Sequence, residues 1–190
     1  INYIKANCLN SNPKFIWNFS WANPTSEYLW SLGYPADLKY NTYNWVENYK
    51  EAFGPELSVM YGNMLEAMKA NTRKYIATND SIADIIPTGL AVDFLRKHED
   101  NPDKEDPDVL LYRDYTHMSD FGRLMTSYLW FATITGKTEI DNVNIDVIPK
   151  YSRVEQNWPQ GDMEVTQDMK DMIQEAVKHA VSQKGTLLPE

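Results

Sequence analysis

The sequence predicts an α/β fold in which a parallel sheet is covered by helices on both faces. Three observations support this prediction. Residues 15–22 are rich in the aromatic and β-branched side chains that favour strands, and residues 82–87 form a short apolar run that turns directly into a helical pattern. Residues 119–136 and 166–185 repeat apolar side chains at helical spacing. Strands that alternate with helices along a chain are typical of parallel sheets.

The first part of the chain contains one predicted strand. Residues 1–12 are ambiguous between a short helix and an edge strand. The strand at 15–22 ends at Asn23-Pro24, since this dipeptide favours a turn. Side chains alternate along a strand, so its aromatic residues share one face: Phe15, Trp17, Phe19 and Trp21.

Residues 24–57 are predicted to form a long irregular segment. It is rich in aromatic side chains: Tyr28, Trp30, Tyr34, Tyr40, Tyr43, Trp45 and Tyr49. Aromatic rings can stack on sugar faces, and loops of this length are often functional. The alternative is that these rings cover the core.

The sequence of the middle of the chain predicts a helix, a strand and a second helix. Ser58 is a candidate N-cap for a helix to about Ala77, and its apolar stripe is rich in methionine, which favours core packing. The stripe comprises Met60, Met64, Ala67, Met68 and Tyr75. A buried strand at 82–87 precedes a helix at 90–97. After a charged loop at 101–108, residues 109–112 are predicted to form the last strand.

Two helices complete the predicted fold. Ser119 is a candidate N-cap, and Gly136 occupies the position of a left-handed C-cap. The buried stripe between them comprises Phe121, Leu124, Met125, Tyr128, Leu129 and Ala132. Thr166 begins a final helix whose apolar face should dock on the same domain. We therefore expect residues 1–150 to belong to one α/β domain, and 151–190 to add an irregular segment and a helix packed on it.

Composition excludes several classes of protein. Eighteen basic and 27 acidic side chains give a formal charge of −9, which argues against binding to nucleic acid or to an anionic membrane surface. No apolar run is long enough to span a membrane. The single cysteine, Cys8, is expected to be a buried thiol, and it cannot form an internal disulfide. The histidines His98, His117 and His179 lack metal-ligand spacing, and we expect His98 and His179 to be solvated.

The strongest functional signal is the run Asp114-Tyr115-Thr116-His117, followed by Met118-Ser119 and the helix start Phe121-Gly122-Arg123. By itself, an acid three residues before a histidine is a weak signal, because most such pairs are solvated loop residues. The run resembles the last conserved block of SGNH (GDSL-type) hydrolases, and it is most similar to a poorly characterised branch common in gut bacteria. Tyr115 and Leu124 depart from that branch, which usually has glycine and an aromatic residue there. The strand-turn-helix at 82–97 extends the resemblance.

The resemblance implies a flavodoxin-like three-layer α/β/α sandwich that is incomplete in this chain. It implies that His117 is the general base of a Ser-His-Asp site and that Asp114 orients it. The strand containing Trp17 and Trp21 would face the site, with Asn18 and Asn23 as candidate oxyanion or substrate contacts. No serine lies in a glycine-flanked strand-to-helix turn, and Gly161-Asp162 is followed by Met163. We therefore expect the nucleophile upstream of Ile1, in a missing N-terminal segment of the same protein.

We therefore expect the chain to be part of an esterase. The enzyme is expected to act on carbohydrate O-acetyl or other O-acyl esters and to need no cofactor or metal. The alternatives are a glycan-binding or interaction module without catalysis, and a structural fragment. The sequence begins at Ile1 without a start methionine, so it is expected to be trimmed, processed or cut from a longer chain. Its richness in Asn, Tyr and Trp favours an exported or periplasmic bacterial protein.

Overall fold

The computed structural model describes residues 1–10, 12–26, 28–29, 50–102, 104–114, 117–139 and 166–189. Its elements follow one another in this order: α1 Asn2–Asn7, β1 Phe15–Asn18, α2 Leu57–Ala77, β2 Ile82–Ile86, α3 Thr88–Arg96, α4 Asp108–Leu111, α5 Asp120–Thr135, α6 Gln167–Gln183 and a 3-10 helix Lys184–Leu187.

The two strands form a parallel pair, which confirms the α/β class. Trp17 lies beside Ile85 and Asn18 beside Ile86. The chain leaves β2 and enters α3 directly, where the amide of Gly89 donates to the carbonyl of Phe19 at 2.9 Å. A Cβ atom at Gly89 would lie 2.4 Å from the carbonyl oxygen of Ser20, so only glycine permits this close approach. Within the described segments the sheet has two strands, whereas the sequence predicts about three.

The final helix docks on the domain, as predicted from its apolar face. Helix α6 packs against α3 and α5. The predicted stripe supplies its buried residues: Met172, Ile173, Ala176, Val177 and Ala180. The 3-10 helix that follows packs on α6, α2 and β2, and none of the surface of its Leu187 is exposed.

Three predicted helix ends are confirmed. The Ser119 hydroxyl accepts from the amide of Gly122 at 3.1 Å and so caps α5. Gly136 ends the same helix in the left-handed region, at φ 72°. Thr166 caps α6 by accepting from the amide of Met169.

The strand predicted at 109–112 is wrong. Residues Asp108–Leu111 form the short helix α4, and Tyr112 alone is extended, in an antiparallel bridge with Met118. The side chain of Asp108 is 1% exposed and pairs with Arg96 of α3, which anchors the helix start. A run of four apolar residues suits a buried helix as well as a strand, and this tertiary contact selects the helix.

Predictions for other element boundaries also need correction. Helix α2 begins at Leu57 with Glu56 at the N-cap, so Ser58 is not the cap. Helix α3 begins at Thr88, two residues earlier than predicted. The sequence predicts Tyr75 on the buried stripe of α2, but 53% of it is exposed and its ring stacks on Trp17 with centroids 5.3 Å apart.

Two side chains lie in surroundings opposite to those predicted. Cys8 is exposed, as are all the other residues from 1 to 10. His98 is not solvated: its side chain is 8% exposed, and its Nε2 atom lies 3.0 Å from Oε2 of Glu175. The amide of Asp100 donates to its Nδ1 atom at 3.1 Å.

Several predictions fall on residues that the structure does not describe. They concern the aromatic side chains between residues 30 and 49 and the segment 140–165, which includes Gly161-Asp162. Tyr28 is described, and 47% of it is exposed. Across the described helices, none has the length and apolar character needed to span a membrane.

Candidate active site

The loop that carries Asp114 and His117 stands on a short, buried stem. The amide of Ser119 donates to the carbonyl of Leu111 at 2.9 Å, and the amide of Arg113 donates to the carbonyl of His117 at 3.0 Å. Between these bonds, Tyr112 and Met118 form the antiparallel bridge. Leu111 and Tyr112 before the loop and Met118 and Ser119 after it are buried, so the core fixes both ends of the loop. Residues 115 and 116 at its tip lie outside the described residues.

Asp114 binds His117 through both carboxylate oxygens. The Nδ1 atom of His117 lies 2.9 Å from Oδ1 and 2.8 Å from Oδ2. The backbone N–H of His117 also donates to Oδ1 at 2.8 Å. The three-residue spacing therefore brings the carboxylate under both the ring and the backbone of the histidine. The structure brings these two predicted residues together.

This contact defines the chemistry available to the imidazole. An ionised carboxylate only accepts hydrogen bonds, so it favours the tautomer with a proton on Nδ1 and a lone pair on Nε2. The His117 side chain is 57% exposed, whereas that of Asp114 is 19% exposed. The acid is thus the more buried partner, and the ring is the more accessible one. Such an arrangement suits a general base and its orienting group.

Arg113 is a third charged group in the loop. Its Nε atom lies 3.3 Å from Oδ2 of Asp114, and its side chain is 16% exposed. Burial lowers the pKa of the Arg113 guanidinium and the nearby Arg123 lowers it further, while Asp114 raises it. The loop therefore contains a guanidinium whose charge is disfavoured by its surroundings and supported by the same carboxylate that holds His117.

His117 opens onto a shallow pocket of about 270 Å³. The described residues that line it are Trp21, His117, Met118, Arg123, Thr126 and Ser127. The hydroxyls of Thr126 and Ser127 donate to the carbonyls of Gly122 and Arg123, one helical turn earlier, at 2.8 Å each. The pocket thus combines an imidazole, a guanidinium, two hydroxyl oxygens and an indole.

Of the four weaker site predictions, the structure brings only Trp21 to this pocket. Trp17 packs on α2, where its indole N–H donates to the hydroxyl of Thr72 at 3.3 Å. The side-chain oxygen of Asn18 accepts from the hydroxyl of Thr88 at 2.8 Å. Asn23 is partly buried and does not line the pocket. The oxyanion roles considered for Asn18 and Asn23 gain no support from this placement.

Arg113, Arg123, Thr126 and Ser127 were not predicted as site residues. Three features of the sequence point to them. Arg113 directly precedes Asp114, and Arg123 lies in the run that carries the family resemblance. Thr126 and Ser127 follow Arg123 by three and four positions, which places them beside it on a helix.

Metal ligands do not converge in the described parts of the chain. No group of three His, Cys, Asp or Glu side chains there is arranged to hold an ion. His98 pairs with Glu175, and His179 stacks on Phe94 with ring centroids 4.7 Å apart. Neither of these histidines lines the pocket at His117.

Comparison with known proteins provides one structural neighbour. No known sequence family and no curated protein matches the chain. The crystal structure of a DUF4886 family protein from Bacteroides uniformis is similar to it, with a TM-score of 0.54 and 18% sequence identity. The match covers 95% of this chain and 52% of the neighbour, so the chain spans about half of the neighbour's length. At this identity, the likeness shows a shared fold.

Proposed function

We propose that this chain supplies the His-Asp part of an SGNH-type ester hydrolase, within a flavodoxin-like three-layer sandwich. The observation that carries the proposal is the contact between Asp114 and His117. Both carboxylate oxygens lie within 2.9 Å of one ring nitrogen, and the ring borders a pocket. The resemblance of the run from Asp114 to Arg123 to the SGNH block supports the same assignment.

In the proposed reaction His117 acts as the general base. Its Nε2 atom takes the proton from a serine hydroxyl as the serine oxygen attacks the ester carbonyl, and it later donates that proton to the leaving alcohol. Asp114 holds the ring through Nδ1–H and stabilises the imidazolium. General-base assistance of this kind contributes about two to four orders of magnitude in rate.

The serine in this proposal lies upstream of Ile1, in sequence outside these 190 residues. Three of the described serines already serve other contacts. Ser119 donates to the carbonyl of Leu110 at 2.6 Å while capping α5, and Ser127 donates to the carbonyl of Arg123. Ser26 donates to the carboxylate of Asp106. The greater length of the structural neighbour is compatible with a site completed by further sequence.

The proposed substrates are O-acyl esters of carbohydrates. Trp21 lines the pocket beside His117, and an indole face can pack on the apolar face of a sugar ring. The oxygens of Thr126 and Ser127 can accept hydrogen bonds from sugar hydroxyls, because their own protons are donated to helix carbonyls. The same pocket favours the second candidate, a glycan-binding module that carries out no hydrolysis.

The test compares two histidine variants of the full gene product, including any coding sequence that precedes Ile1. We expect His117→Ala to lower the hydrolysis of acetylated oligosaccharides by at least about 10²-fold. His179→Ala is the matched control, since His179 is exposed and packs on Phe94 away from the pocket. Equal rates of hydrolysis in the two variants would show that His117 takes no part in the reaction. Glycan binding without turnover in the unmodified protein would favour the binding module.

A serine-directed fluorophosphonate provides an independent check on the nucleophile. The 190-residue chain should not be labelled, whereas the full gene product should be labelled at a serine before Ile1. Labelling that disappears in Ser127→Ala would place the nucleophile inside this chain and contradict the upstream assignment.

A further inference from the structure

Asp114 has more contacts than the orientation of an imidazole requires. Its Oδ1 atom accepts the backbone N–H of His117 and faces Nδ1. Its Oδ2 atom faces the same Nδ1 at 2.8 Å and Nε of Arg113 at 3.3 Å. Arg113 therefore forms an ion pair with one of the two oxygens that hold the ring.

Arg113 is also tied to His117 through the backbone. Its amide donates to the carbonyl of His117 at 3.0 Å, which is the last bond of the buried stem. The stem keeps the Arg113 backbone in place whatever its side chain does. The side chain can therefore be changed without removing the hydrogen bonds that hold the loop.

The placement of this guanidinium opposes its charge. Its side chain is 16% exposed, and both burial and Arg123 lower its pKa. The backbone hydrogen bonds of the stem already hold this loop without the Arg113 side chain. Stability is therefore a weak reason to place Arg113 beside Arg123. A direct consequence of this placement is that the Asp114 carboxylate is held beside the His117 ring.

We propose that Arg113 is a positioning residue, which locks the Asp114 carboxylate against Nδ1 of His117 so that the ring keeps its proton there and presents Nε2 to the pocket. Its effect on turnover rests on the proposed hydrolase function. Its effect on the histidine tautomer does not, and can be measured on the 190-residue chain alone.

The experiment records long-range 1H–15N spectra of the 15N-labelled chain at a pH where the imidazole is neutral. We expect the unmodified chain to show His117 with its proton on Nδ1. Arg113→Met should shift part of the population to the Nε2–H tautomer, and Arg113→Lys should restore most of the Nδ1–H form. Asp114→Asn is the positive control, since an amide no longer enforces one tautomer. Arg73→Met is the matched control, because the Nε atom of Arg73 donates to the carbonyl of Thr186 at 3.0 Å and neither residue lines the pocket at His117.

An unchanged tautomer in Arg113→Met, or an Nε2–H ring in the unmodified chain, would overturn the proposal. If Arg113→Met unfolds, Arg113→Gln repeats the test with a shorter, uncharged side chain. In the full gene product, Arg113→Met should lower kcat by up to about 10²-fold with little change in KM. A tautomer that responds in a protein without esterase activity would leave the positioning role standing and refute the hydrolase function.

Discussion

The backbone N–H of Thr25 donates to Oδ2 of Asp108 at 2.7 Å, which joins two segments 83 positions apart. Thr25 lies four residues after Trp21, and Asp108 begins the helix that leads to Asp114. The other carboxylate oxygen of Asp108 pairs with Arg96. One buried acid therefore links the segment of Trp21, which lines the candidate pocket, to the segment that leads to the loop of Asp114 and His117.

Replacing this acid should destabilise the chain strongly. Asp108→Asn leaves the Arg96 charge buried without its partner, and we expect a loss of about 3–5 kcal/mol in the free energy of unfolding. Urea denaturation provides the measurement. The matched control is Glu66→Gln, since Glu66 is 65% exposed and pairs with Lys69 at the surface, where the change should cost about 0–1 kcal/mol. Similar losses in the two variants would show that the buried pair does not hold the segments together.

The elements that the sequence predicts well are those specified by local chemistry. Helices α5 and α6 begin with hydroxyl caps and show unbroken apolar stripes, so their ends and buried faces follow from the sequence. Helix α4 could not be predicted in this way. It depends on the contact of Asp108 with Arg96 and Thr25, 12 and 83 positions away, and the apolar run at residues 109–112 is too short to show a helical period.

In the candidate site, too, the sequence predicts local relationships and misses those that depend on the tertiary structure. Asp114 and His117 meet because they are three residues apart on a tight loop, which is a local relationship. Trp17 and Trp21 would share one face only if the strand continued through both residues. The strand ends at Asn18, so Trp17 packs on α2 and Trp21 reaches the pocket. The pairing of Arg113 with Asp114 depends on side-chain directions that spacing does not reveal.

The two hydroxyl caps should differ in their contributions to stability. Ser119→Ala removes the cap of α5 and also leaves the buried carbonyl of Leu110 without its hydroxyl donor. We expect a loss of about 1–3 kcal/mol, the range for a buried group deprived of its hydrogen bond. Thr166→Ala removes an exposed cap from α6 and should cost about 0.5–1 kcal/mol. Thermal and urea unfolding of both variants test this order, and a larger loss in Thr166→Ala would contradict it.

Two buried tyrosines should respond oppositely to loss of the hydroxyl. Tyr112 donates to the carbonyl of Ala22 at 2.7 Å, so Tyr112→Phe should cost about 1 kcal/mol. The Tyr61 hydroxyl is buried and has no hydrogen-bond partner within the described parts of the chain. Tyr61→Phe should therefore be neutral or stabilising. Unfolding at neutral pH measures both changes, and a clear loss in Tyr61→Phe would indicate a partner for that hydroxyl.

Alkaline pH should destabilise the chain through the same two tyrosines. Burial raises the pKa of Tyr112 well above its usual value, and burial also raises the pKa of Tyr61, although Arg96 opposes that effect. The unfolded chain releases these protons near pH 10 while the folded chain keeps them, so stability is complete below pH 10 and falls above it. Each tyrosine contributes about 1.4 kcal/mol per pH unit to this fall. Urea denaturation at several pH values above 10 measures how steeply the free energy of unfolding falls with pH. Tyr112→Phe should reduce this slope by the contribution of one tyrosine, and an unchanged slope would show that Tyr112 does not cause the fall.

Two glycine-to-alanine changes should have opposite signs. Gly62 lies in α2, and no neighbouring atom comes within 4 Å of the position that an alanine methyl group would take there, so Gly62→Ala should stabilise the chain by about 0.5–1 kcal/mol. A Cβ atom at Gly122 would lie 2.4 Å from the carbonyl oxygen of Leu111 and 2.8 Å from Sδ of Met118. Gly122→Ala should therefore destabilise by about 1–3 kcal/mol. Leu111 and Met118 belong to the stem of the loop that carries Asp114 and His117, so the same change should also disturb the His117 tautomer in 15N spectra. A stable Gly122→Ala variant with an unaltered His117 ring would show that the loop does not depend on this packing.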